Sequence, residues 1–300
     1  MGKLKSWWQE HRPTMRRLIQ LYAALLQNAH LKGFVEGNIY TGKTKAVCVP
    51  GLNCYSCPAA VGACPLGTLQ NAIASSLNRP AFYVIGLIML FGLLLGRTVC
   101  GWLCPMGLIQ ELLFRVPTPK IGKSRATRTL SFLKYGILAV FAVIIPFIYA
   151  LRNVLVPAFC KYICPAGTLE GAVGLLANPV NADAFGMLGP LFTGKVLILI
   201  LVLTAMIFVY RAFCRFFCPL GAIYGFFARL ALIGIRVDRS RCTDCGRCVR
   251  TCPMDILRPG DHECIHCGRC AAECPEKAIA MKAGRIVLKG FAADTGRAKG

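Results

Sequence analysis

The sequence predicts an α-helical membrane protein with a small α+β domain at its C-terminal end. Of its 300 residues, 56% are hydrophobic and only 16% are charged, and the mean hydropathy is +0.56. That composition is too apolar for an ordinary soluble domain. No Asp or Glu occurs between Glu36 and Glu111, and most of the 18 cysteines fall in short, regularly spaced runs. Such runs favour metal binding over the disulfide framework of a small secreted protein.

Four apolar stretches are the predicted transmembrane helices, and they cover about residues 18–35, 80–96, 135–151 and 196–210. They are short for a bilayer core of about 30 Å, which needs about 20 apolar residues per helix. The first stretch also contains polar side chains, so an interfacial helix is the alternative there. These stretches and their connecting segments form a predicted membrane domain at residues 1–235.

Basic residues are distributed unevenly along this domain. Lys and Arg are frequent in the N-terminal segment and in residues 97–134 and 211–241, and sparser in 37–79 and 152–195. Cytoplasmic segments carry the excess of Lys and Arg in membrane proteins. We therefore expect a multi-pass protein of the cytoplasmic (inner) membrane with both termini in the cytoplasm. This topology also explains the net charge of +22, so no nucleic-acid partner is expected.

The motif Cys-Pro-x-Gly occurs four times, beginning at Cys64, Cys104, Cys164 and Cys218. The predicted topology places Cys104 and Cys218 at the inner side of the membrane, and Cys64 and Cys164 at the outer side. Each half of the chain then consists of span, outer motif, span and inner motif, which is a parallel internal repeat. The segments after the outer motifs, "LQNAIASSL" and "LEGAVGLLA", are predicted to re-enter the membrane as half-helices.

The motif has the features of a helix start that presents a thiolate. Cys occupies the cap, and Pro takes the first helical position, where its missing N–H costs nothing. The free N–H groups and the positive end of the helix dipole favour an anionic group such as an iron–sulfur cluster. The glycine leaves room for the cluster, because it has no Cβ.

Two cysteine runs of equal spacing, "CGWLCP" and "CRFFCP", are predicted to meet at the inner side. We expect their cysteines to bind one [4Fe–4S] cluster. This inner site consists of Cys100, Cys104, Cys214 and Cys218. The alternative is that they are free cysteines, which pack as small apolar residues.

The outer side is expected to bind a further [4Fe–4S] cluster through an outer site of Cys57, Cys64, Cys160 and Cys164. The run "CKYICP" supplies the last two, but Cys64 has no equivalent partner, because position 60 is Ala. Cys57 is the preferred partner, and Cys48 and Cys54 are alternative ligands. If they are not ligands, Cys48 and Cys54 could form a disulfide on an oxidising side of the membrane or act as redox-active thiols.

Residues 236–290 are predicted to form an α+β ferredoxin domain with two [4Fe–4S] clusters. The runs "CTDCGRCVRTCP" and "CIHCGRCAAECP" have the C-x2-C-x2-C-x3-C-P spacing of bacterial two-cluster ferredoxins, in which the fourth Cys binds the other cluster. The first ferredoxin site is therefore Cys242, Cys245, Cys248 and Cys274, and the second is Cys264, Cys267, Cys270 and Cys252. A pair of structural zinc sites is the alternative. Residues 291–300 are predicted to be a flexible basic tail.

With these motifs, the chain resembles the NapH-type membrane iron–sulfur proteins, the polyferredoxin-like family of nitrate-reductase accessory subunits and their relatives. The resemblance rests on "GRTVCGWLCP", "RAFCRFFCP", the four spans and the two-cluster ferredoxin, and it covers most of residues 80–280. It implies electron transfer between the cytoplasmic side, or the quinone pool, and an extracytoplasmic acceptor such as a flavinylated FMN-binding protein. The segment "CVPGLNCYSCPAAVGACP" departs from the family pattern and favours an electron path across the whole membrane.

The predicted function is transmembrane electron transfer through four [4Fe–4S] clusters. The chain is expected to be the electron-transfer component of a membrane oxidoreductase, without bond chemistry by the protein itself. Expected partners are membrane lipid, a cytoplasmic donor (a ferredoxin or reductase) and an extracytoplasmic redox protein, with quinone as a further candidate. A quinol or quinone oxidoreductase subunit and an iron–sulfur accessory, assembly or sensor protein are the alternatives. No haem is expected, because only His30 lies in a predicted span.

Overall fold

The computed structural model describes residues 14–75, 82–187, 189–284 and 286–287. The described chain is mostly helical, with a small sheet near its C-terminal end. The helices before the sheet have these bounds: Met15–Gln27 (α1), Lys32–Glu36 (α2), Pro65–Ala74 (α3), Phe82–Leu94 (α4), Thr98–Trp102 (α5), Pro105–Leu113 (α6), Arg125–Ala150 (α7), Ala158–Tyr162 (α8), Gly167–Leu176 (α9), Pro190–Phe208 (α10), Ala212–Phe216 (α11) and Pro219–Phe227 (α12). Short 3-10 helices lie in connecting segments at Lys43–Ala46 and Pro179–Met187.

Helices α7 and α10 are long and apolar enough to cross a membrane. They have 26 and 19 residues, which corresponds to about 39 Å and 28 Å at 1.5 Å per residue. They cover all but the last one or two residues of the predicted spans 135–151 and 196–210. Helix α7 begins well before its apolar stretch, because Lys134 is buried in an ion pair with Glu263 and does not end the helix.

The other two predicted spans are shorter in the structure. Helix α4 has 13 residues and covers most of the stretch 80–96, whose first two residues lie outside the described part. Helix α1 also has 13 residues and ends at Gln27, so the stretch 18–35 is not one continuous helix. The chain turns there because the carbonyl of Gln27 accepts a hydrogen bond from the N–H of Val61 instead of continuing the helical ladder.

Helix α1 turns its polar face towards the protein and its leucine-rich face outwards. The amide of Gln20 donates to the carbonyl of Cys104 at 2.8 Å, and the amide of Gln27 donates to that of Leu103 at 3.1 Å. The polar side chains that weakened the predicted span therefore bind the backbone of an inner motif.

A helix follows each Cys-Pro-x-Gly motif. Helices α3, α6 and α12 begin at the motif proline, and Cys64, Cys104 and Cys218 are their N-cap residues in extended conformation. After Cys164, the chain is helical from Pro165 and continues into α9 with a π-helical turn. The helix starts predicted from the motif are therefore present, because proline fits the first helical position.

The C-terminal domain combines a three-stranded antiparallel sheet with short helices. Strands β1 (Ile233–Val237), β2 (Ile279–Ala283) and β3 (Ile286–Val287) lie in that order. Ile233 pairs with Ala283 and Val237 with Ile279. The helices are α13 (Arg247–Thr251) and α14 (Arg269–Ala272). Strand β1 begins before residue 236, so the domain starts slightly earlier than predicted. The predicted tail, residues 291–300, lies outside the described residues.

The C-terminal domain packs directly on the inner motifs. A Cβ at Gly101 would lie 2.2 Å from the carbonyl oxygen of Ile265, so only glycine permits this approach. Trp102 packs against Ile235 of the sheet, and its indole N–H donates to the carbonyl of His266 at 3.0 Å.

Buried ion pairs join the same two parts of the chain. Glu263 is paired with Arg97 at 2.9 Å and with Lys134, and Arg215 is paired with Asp255. All these side chains are at most 5% exposed. Removing one partner of a buried pair costs about 3–5 kcal/mol, so these pairs hold the domain in one position.

Candidate iron–sulfur sites

The cysteines of the inner site line one buried cavity. Cys100, Cys104, Cys214 and Cys218 line this small space together with apolar side chains and Tyr224. Each of these cysteines is at most 7% exposed. The structure thus brings together the residues that the sequence predicts for this site.

The chemistry of the inner site fits an anionic cluster. Burial and the neighbouring thiol of Cys214 raise the pKa of Cys100 to about 12 and that of Cys104 to about 11. Thiols in such a place become thiolates when a metal ion supplies positive charge. Hydrogen-bond donors already face the sulfurs: the N–H of Gly221 lies 3.3 Å from Cys218 Sγ, and Gln110 Nε2 lies 2.9 Å from Cys214 Sγ.

A buried arginine precedes each inner cysteine run by three residues. Arg97 donates to the carbonyl of Gly221 at 2.9 and 3.1 Å, and Arg211 donates to the carbonyl of Cys100 at 2.5 Å. Each arginine therefore donates to a backbone carbonyl of the other inner motif. Both guanidinium groups interact electrostatically with Cys100 and Cys214, where positive charge stabilises thiolate ligands.

Glu111 balances part of this positive charge. Its carboxylate accepts hydrogen bonds from Arg16 at 2.5 Å, from Arg211 at 2.6 Å and from the Tyr210 hydroxyl at 2.7 Å. Burial alone would raise the pKa of Glu111, but Arg211 and Arg16 hold it well below its ordinary value. Glu111 is therefore ionised at neutral pH. Through Arg16 and Arg211, it links α1 to the segments around both inner cysteine runs.

The first ferredoxin site borders an open cleft on the surface of the C-terminal domain. The cleft is lined by all its cysteines: Cys242, Cys245, Cys248 and Cys274. Cys245 is exposed, so this site is accessible to a partner. The charged residues that line the cleft are mainly basic: Arg229, Arg236, Arg239, Arg247 and Arg258, against Asp244 and Glu276.

The second ferredoxin site lies between the first site and the inner site. Its cysteines, Cys252, Cys264, Cys267 and Cys270, interact electrostatically with one another. Cys270 also interacts with Cys248 of the first site, and Cys264 with Arg97 beside the inner site. Each run wraps its site through a left-handed glycine, Gly246 at φ 68° and Gly268 at φ 82°, a conformation that disfavours any side chain.

At the outer site, the structure brings together the predicted cysteines Cys64, Cys160 and Cys164. The thiol next to them is that of Cys54 and not that of Cys57. Cys164 interacts electrostatically with Cys160, Cys54 and Cys64, and Cys64 interacts with Cys160 and Cys54. The structure therefore differs from the sequence expectation in the fourth member of this group.

The remaining cysteines of the outer segment face other partners. Cys57 packs with two alanines, and its Sγ lies 3.7 Å from Oδ1 of Asn28. The Sγ of Cys48 lies 3.6 Å from the hydroxyl of Thr68. All 18 cysteines are free thiols, so Cys48 and Cys54 are not joined by a disulfide in this structure.

Tyr224 lies between the inner and outer sites. Its side chain is fully buried, lines the inner cavity and interacts electrostatically with Cys100 and with Cys64 of the outer site. Its hydroxyl donates to the carbonyl of Pro50 at 2.9 Å, and the next two residues of that loop also line the inner cavity. The inner and outer sites are therefore neighbours, because the cysteine-rich loop reaches down to the inner motifs.

Sequence reasoning missed a hydrogen-bonding residue at the sixth position after each motif cysteine. Gln70 Nε2 donates to Cys160 Sγ at 3.3 Å, and Gln110 Nε2 donates to Cys214 Sγ at 2.9 Å. The signal was in the repeats themselves, which read "CPLGTLQ", "CPMGLIQ", "CPAGTLE" and "CPLGAIY" and end in a polar side chain each time.

Single-ion metal sites were also sought in the described part of the chain. Among the described residues, no three His, Cys, Asp or Glu side chains converge closely enough to bind one ion.

Two family profiles match the chain, and both are described as a 4Fe-4S binding domain. The first matches residues 80–124, 135–179 and 191–238, and the second matches residues 235–257. The chain therefore carries 4Fe–4S binding domains in its helical part and at the start of the ferredoxin domain. No solved structure matches the chain.

Among curated proteins, the relatives include ferredoxin-type proteins. The ferredoxin-type protein NapH of Haemophilus influenzae is 28% identical over 265 residues, which are 86% of this chain and 80% of the relative. The putative electron transport protein YccM of Escherichia coli is 27% identical, over 60% of this chain and 48% of the relative. The methylamine utilization ferredoxin-type protein MauN of Methylorubrum extorquens is 27% identical, over 55% and 51%. The chain thus spans about half the length of YccM and MauN. The predicted resemblance to NapH-type proteins is confirmed.

Proposed function

Because the chain is a 4Fe–4S protein related to the NapH-type proteins, we propose that it carries electrons across the cytoplasmic membrane through four [4Fe–4S] clusters. The observation that carries this proposal is the unbroken order of cysteine sites. The first ferredoxin site neighbours the second, the second neighbours the inner site through Arg97, and the inner site neighbours the outer site through Tyr224. The protein's own part is to hold, orient and electrostatically tune these clusters.

The step between the ferredoxin domain and the inner site is supported by the rigid contact between them. Gly101 meets the backbone of Ile265, and Arg97 bridges Glu263 to the inner motif. A fixed, buried contact keeps the distance between two clusters constant, which an electron path without a mobile carrier requires. The buried ion pairs of Glu263 supply that rigidity.

The membrane location is supported by the two long apolar helices and by the NapH relative. In the proposed topology, both termini are cytoplasmic and the ferredoxin domain lies on the cytoplasmic side. Helices α1 and α4 are each about 20 Å long, so the motif helices would complete the path across the bilayer with them. Re-entrant backbone of this kind is tolerated where protein buries it.

The partners follow from the two ends of this path. At the cytoplasmic end, the first ferredoxin site opens into a cleft rich in arginine, which suits an acidic ferredoxin or reductase as the donor. At the other end, we propose an extracytoplasmic redox protein as the acceptor, of which a flavinylated protein is one candidate. The direction of flow depends on the cluster potentials.

The test is electron transfer across a sealed vesicle. The holoprotein is reconstituted in liposomes that contain ferricyanide, and dithionite, which does not cross lipid, is added outside. We expect the trapped ferricyanide to be reduced in vesicles with the protein and to stay oxidised in empty vesicles. The controls are Cys264→Ala, which removes a ligand of the second ferredoxin site, and Cys164→Ala, which removes one of the outer site; both should stop the reaction.

If fully loaded protein leaves the trapped ferricyanide oxidised, the proposal is wrong. If Cys164→Ala transfers electrons as fast as the unchanged protein, the outer site is not on the path. Electrons would then reach the trapped ferricyanide from the inner site without the outer one.

A further inference from the structure

We propose that the outer [4Fe–4S] cluster is bound by Cys54, Cys64, Cys160 and Cys164, and that Cys57 and Cys48 are not ligands. This rests on the proposed function only in taking an outer cluster to be present. The choice among the cysteines rests on the repeat and on the contacts around them.

The inner site shows where the sixth residue after a motif cysteine lies. Gln110 donates to Sγ of Cys214, the first cysteine of the other half, at 2.9 Å and accepts from its N–H at 3.3 Å. Tyr224, at the equivalent position, lines the inner cavity with Cys100, although its hydroxyl donates to the carbonyl of Pro50. The rule of the repeat is therefore taken from Gln110.

The outer motifs follow the same rule. Gln70 donates to Cys160 Sγ at 3.3 Å and accepts from the N–H of Phe159 at 2.9 Å. Glu170, its equivalent in the other half, accepts from the N–H of Cys54 at 2.8 Å. Cys54 therefore occupies the place that Cys160 occupies across the pseudo-two-fold axis. It replaces the cysteine that sequence spacing would have put at position 60.

The packing around Cys54 supports the same choice. A Cβ at Gly171 would lie 3.3 Å from Cys54 Sγ, and a Cβ at Gly67 would lie 3.7 Å from Cys160 Sγ. A glycine of the opposite half therefore faces each of these two sulfurs. The thiol of Cys57 is instead directed at the side chain of Asn28.

The test compares single variants of the full-length protein, purified without oxygen: Cys54→Ala, Cys57→Ala and Cys48→Ala, with Cys164→Ala as the reference for loss of the outer cluster. Iron and acid-labile sulfide are counted, and the clusters are examined by electron paramagnetic resonance. We expect about 16 irons in the unchanged protein and in the Cys57 and Cys48 variants, and about 12 in the Cys54 and Cys164 variants, since each cluster holds four irons.

Loss of about four irons in Cys57→Ala, with full loading of Cys54→Ala, would overturn the ligand assignment and leave the proposed function intact. About 12 irons in the unchanged protein would instead remove the outer cluster, and the transmembrane path with it. If Cys54→Ala does not fold, Cys54→Ser is used, because a serine oxygen in place of the thiolate changes the resonance of the bound cluster. A Cys54→Ser spectrum identical to that of the unchanged protein would also refute the assignment.

Discussion

At the scale of single residues, hydrogen bonds to cysteine sulfurs are expected to adjust the reduction potentials of the proposed clusters. Gln110 and Gln70 each donate an amide N–H to a sulfur, one at the inner site and one at the outer site. Such bonds help to set cluster potentials, because they stabilise the more negative, reduced state.

We therefore expect Gln110→Glu to lower the midpoint potential of the inner cluster. The carboxylate keeps the acceptor for the N–H of Cys214 but loses the donor to its sulfur. A hydrogen bond to a charged group is worth about 1.5–3 kcal/mol, which is roughly 65–130 mV for a one-electron couple. A redox titration followed by electron paramagnetic resonance measures the shift. The matched variant Gln70→Glu should lower the midpoint potential of the outer cluster and leave that of the inner cluster unchanged. An unchanged inner potential in Gln110→Glu would contradict the role given to the Gln110 amide.

Glu111 is the residue whose loss should destabilise the helical part most. Its carboxylate is the shared acceptor for Arg16, Arg211 and the Tyr210 hydroxyl. Glu111→Gln removes the buried carboxylate that Arg211 and Arg16 both contact, so we expect unfolding to become easier by about 3–5 kcal/mol. The midpoint of thermal unfolding in detergent measures the effect. The control is Glu36→Gln, at an exposed glutamate, which should change stability by less than about 0.5 kcal/mol. An equally small effect of Glu111→Gln would mean that the hydrogen bonds to Glu111 do not stabilise the fold.

His266 should make the ferredoxin domain sensitive to mild acid. The Thr98 hydroxyl donates to the carbonyl of Ile233, so it accepts from Nδ1 of His266 at 2.8 Å. The other ring nitrogen is buried without a partner among the described residues. Burial, with Arg236 and Arg97 nearby, lowers the pKa of His266 to about 4.

The sign of the pH effect follows from that lowered pKa. Below pH of about 6.5, the unfolded chain binds a proton at His266 and the folded chain does not, so acid favours unfolding down to pH of about 4. The loss is at most about 1.4 kcal/mol per pH unit in that range, because an anionic cluster bound by the neighbouring Cys264 and Cys267 would raise the pKa of His266. Thermal unfolding at pH 7.5 and 5.5 measures it, with His266→Gln as the comparison. If the variant loses as much stability as the unchanged protein over this range, another group is responsible.

At the scale of elements, the contact of α5 with the ferredoxin domain depends on a glycine. A Cβ at Gly101 would collide with the backbone oxygen of Ile265, and backbone cannot move aside as a side chain can. We expect Gly101→Ala to loosen the domain, so that a protease separates it faster and the inner cluster is reduced more slowly. All clusters should stay loaded. Gly194→Ala, on α10 with open space around the glycine, is the control; identical digestion of the two variants would argue against a tight contact.

Helix α1 illustrates a burial pattern that its own sequence does not reveal. Its apolar side chains suggested a span, and its polar ones suggested a surface helix. In the structure, the polar face is the buried one, since Gln20 and Gln27 satisfy carbonyls of the inner motif. Carbonyls left free next to a helix cap need donors, and no pattern within α1 itself reveals where those carbonyls lie.

At the scale of the whole molecule, charge should govern the encounter with the donor. The cleft at the first ferredoxin site is lined by five arginines and two acidic residues. We expect Arg239→Glu to slow reduction by an acidic ferredoxin at low salt, because steering by opposite charge raises association rates. Stopped-flow reduction at several salt concentrations measures this, and salt should remove most of the difference. The control is Arg152→Glu, which makes the same change on the proposed outer face. Equal slowing by both variants would mean that the ferredoxin responds to the net charge of the protein and not to the cleft.

The sequence by itself determined that the chain is a 4Fe–4S protein related to the NapH-type proteins, because the spacing of its cysteine runs is that of cluster ligands. The same spacing predicted which cysteines lie together at the inner site, and the structure places these four around one small space. Tertiary structure alone decided which cysteine stands beside Cys64, how near the outer segment comes to the inner cavity, and what the sixth motif residue contacts. Those outcomes depend on how a loop without regular structure packs against distant helices. The spacing of its cysteines, from Cys48 to Cys64, is compatible with several partners, and tertiary contacts such as the hydrogen bond from Cys54 to Glu170 distinguish them.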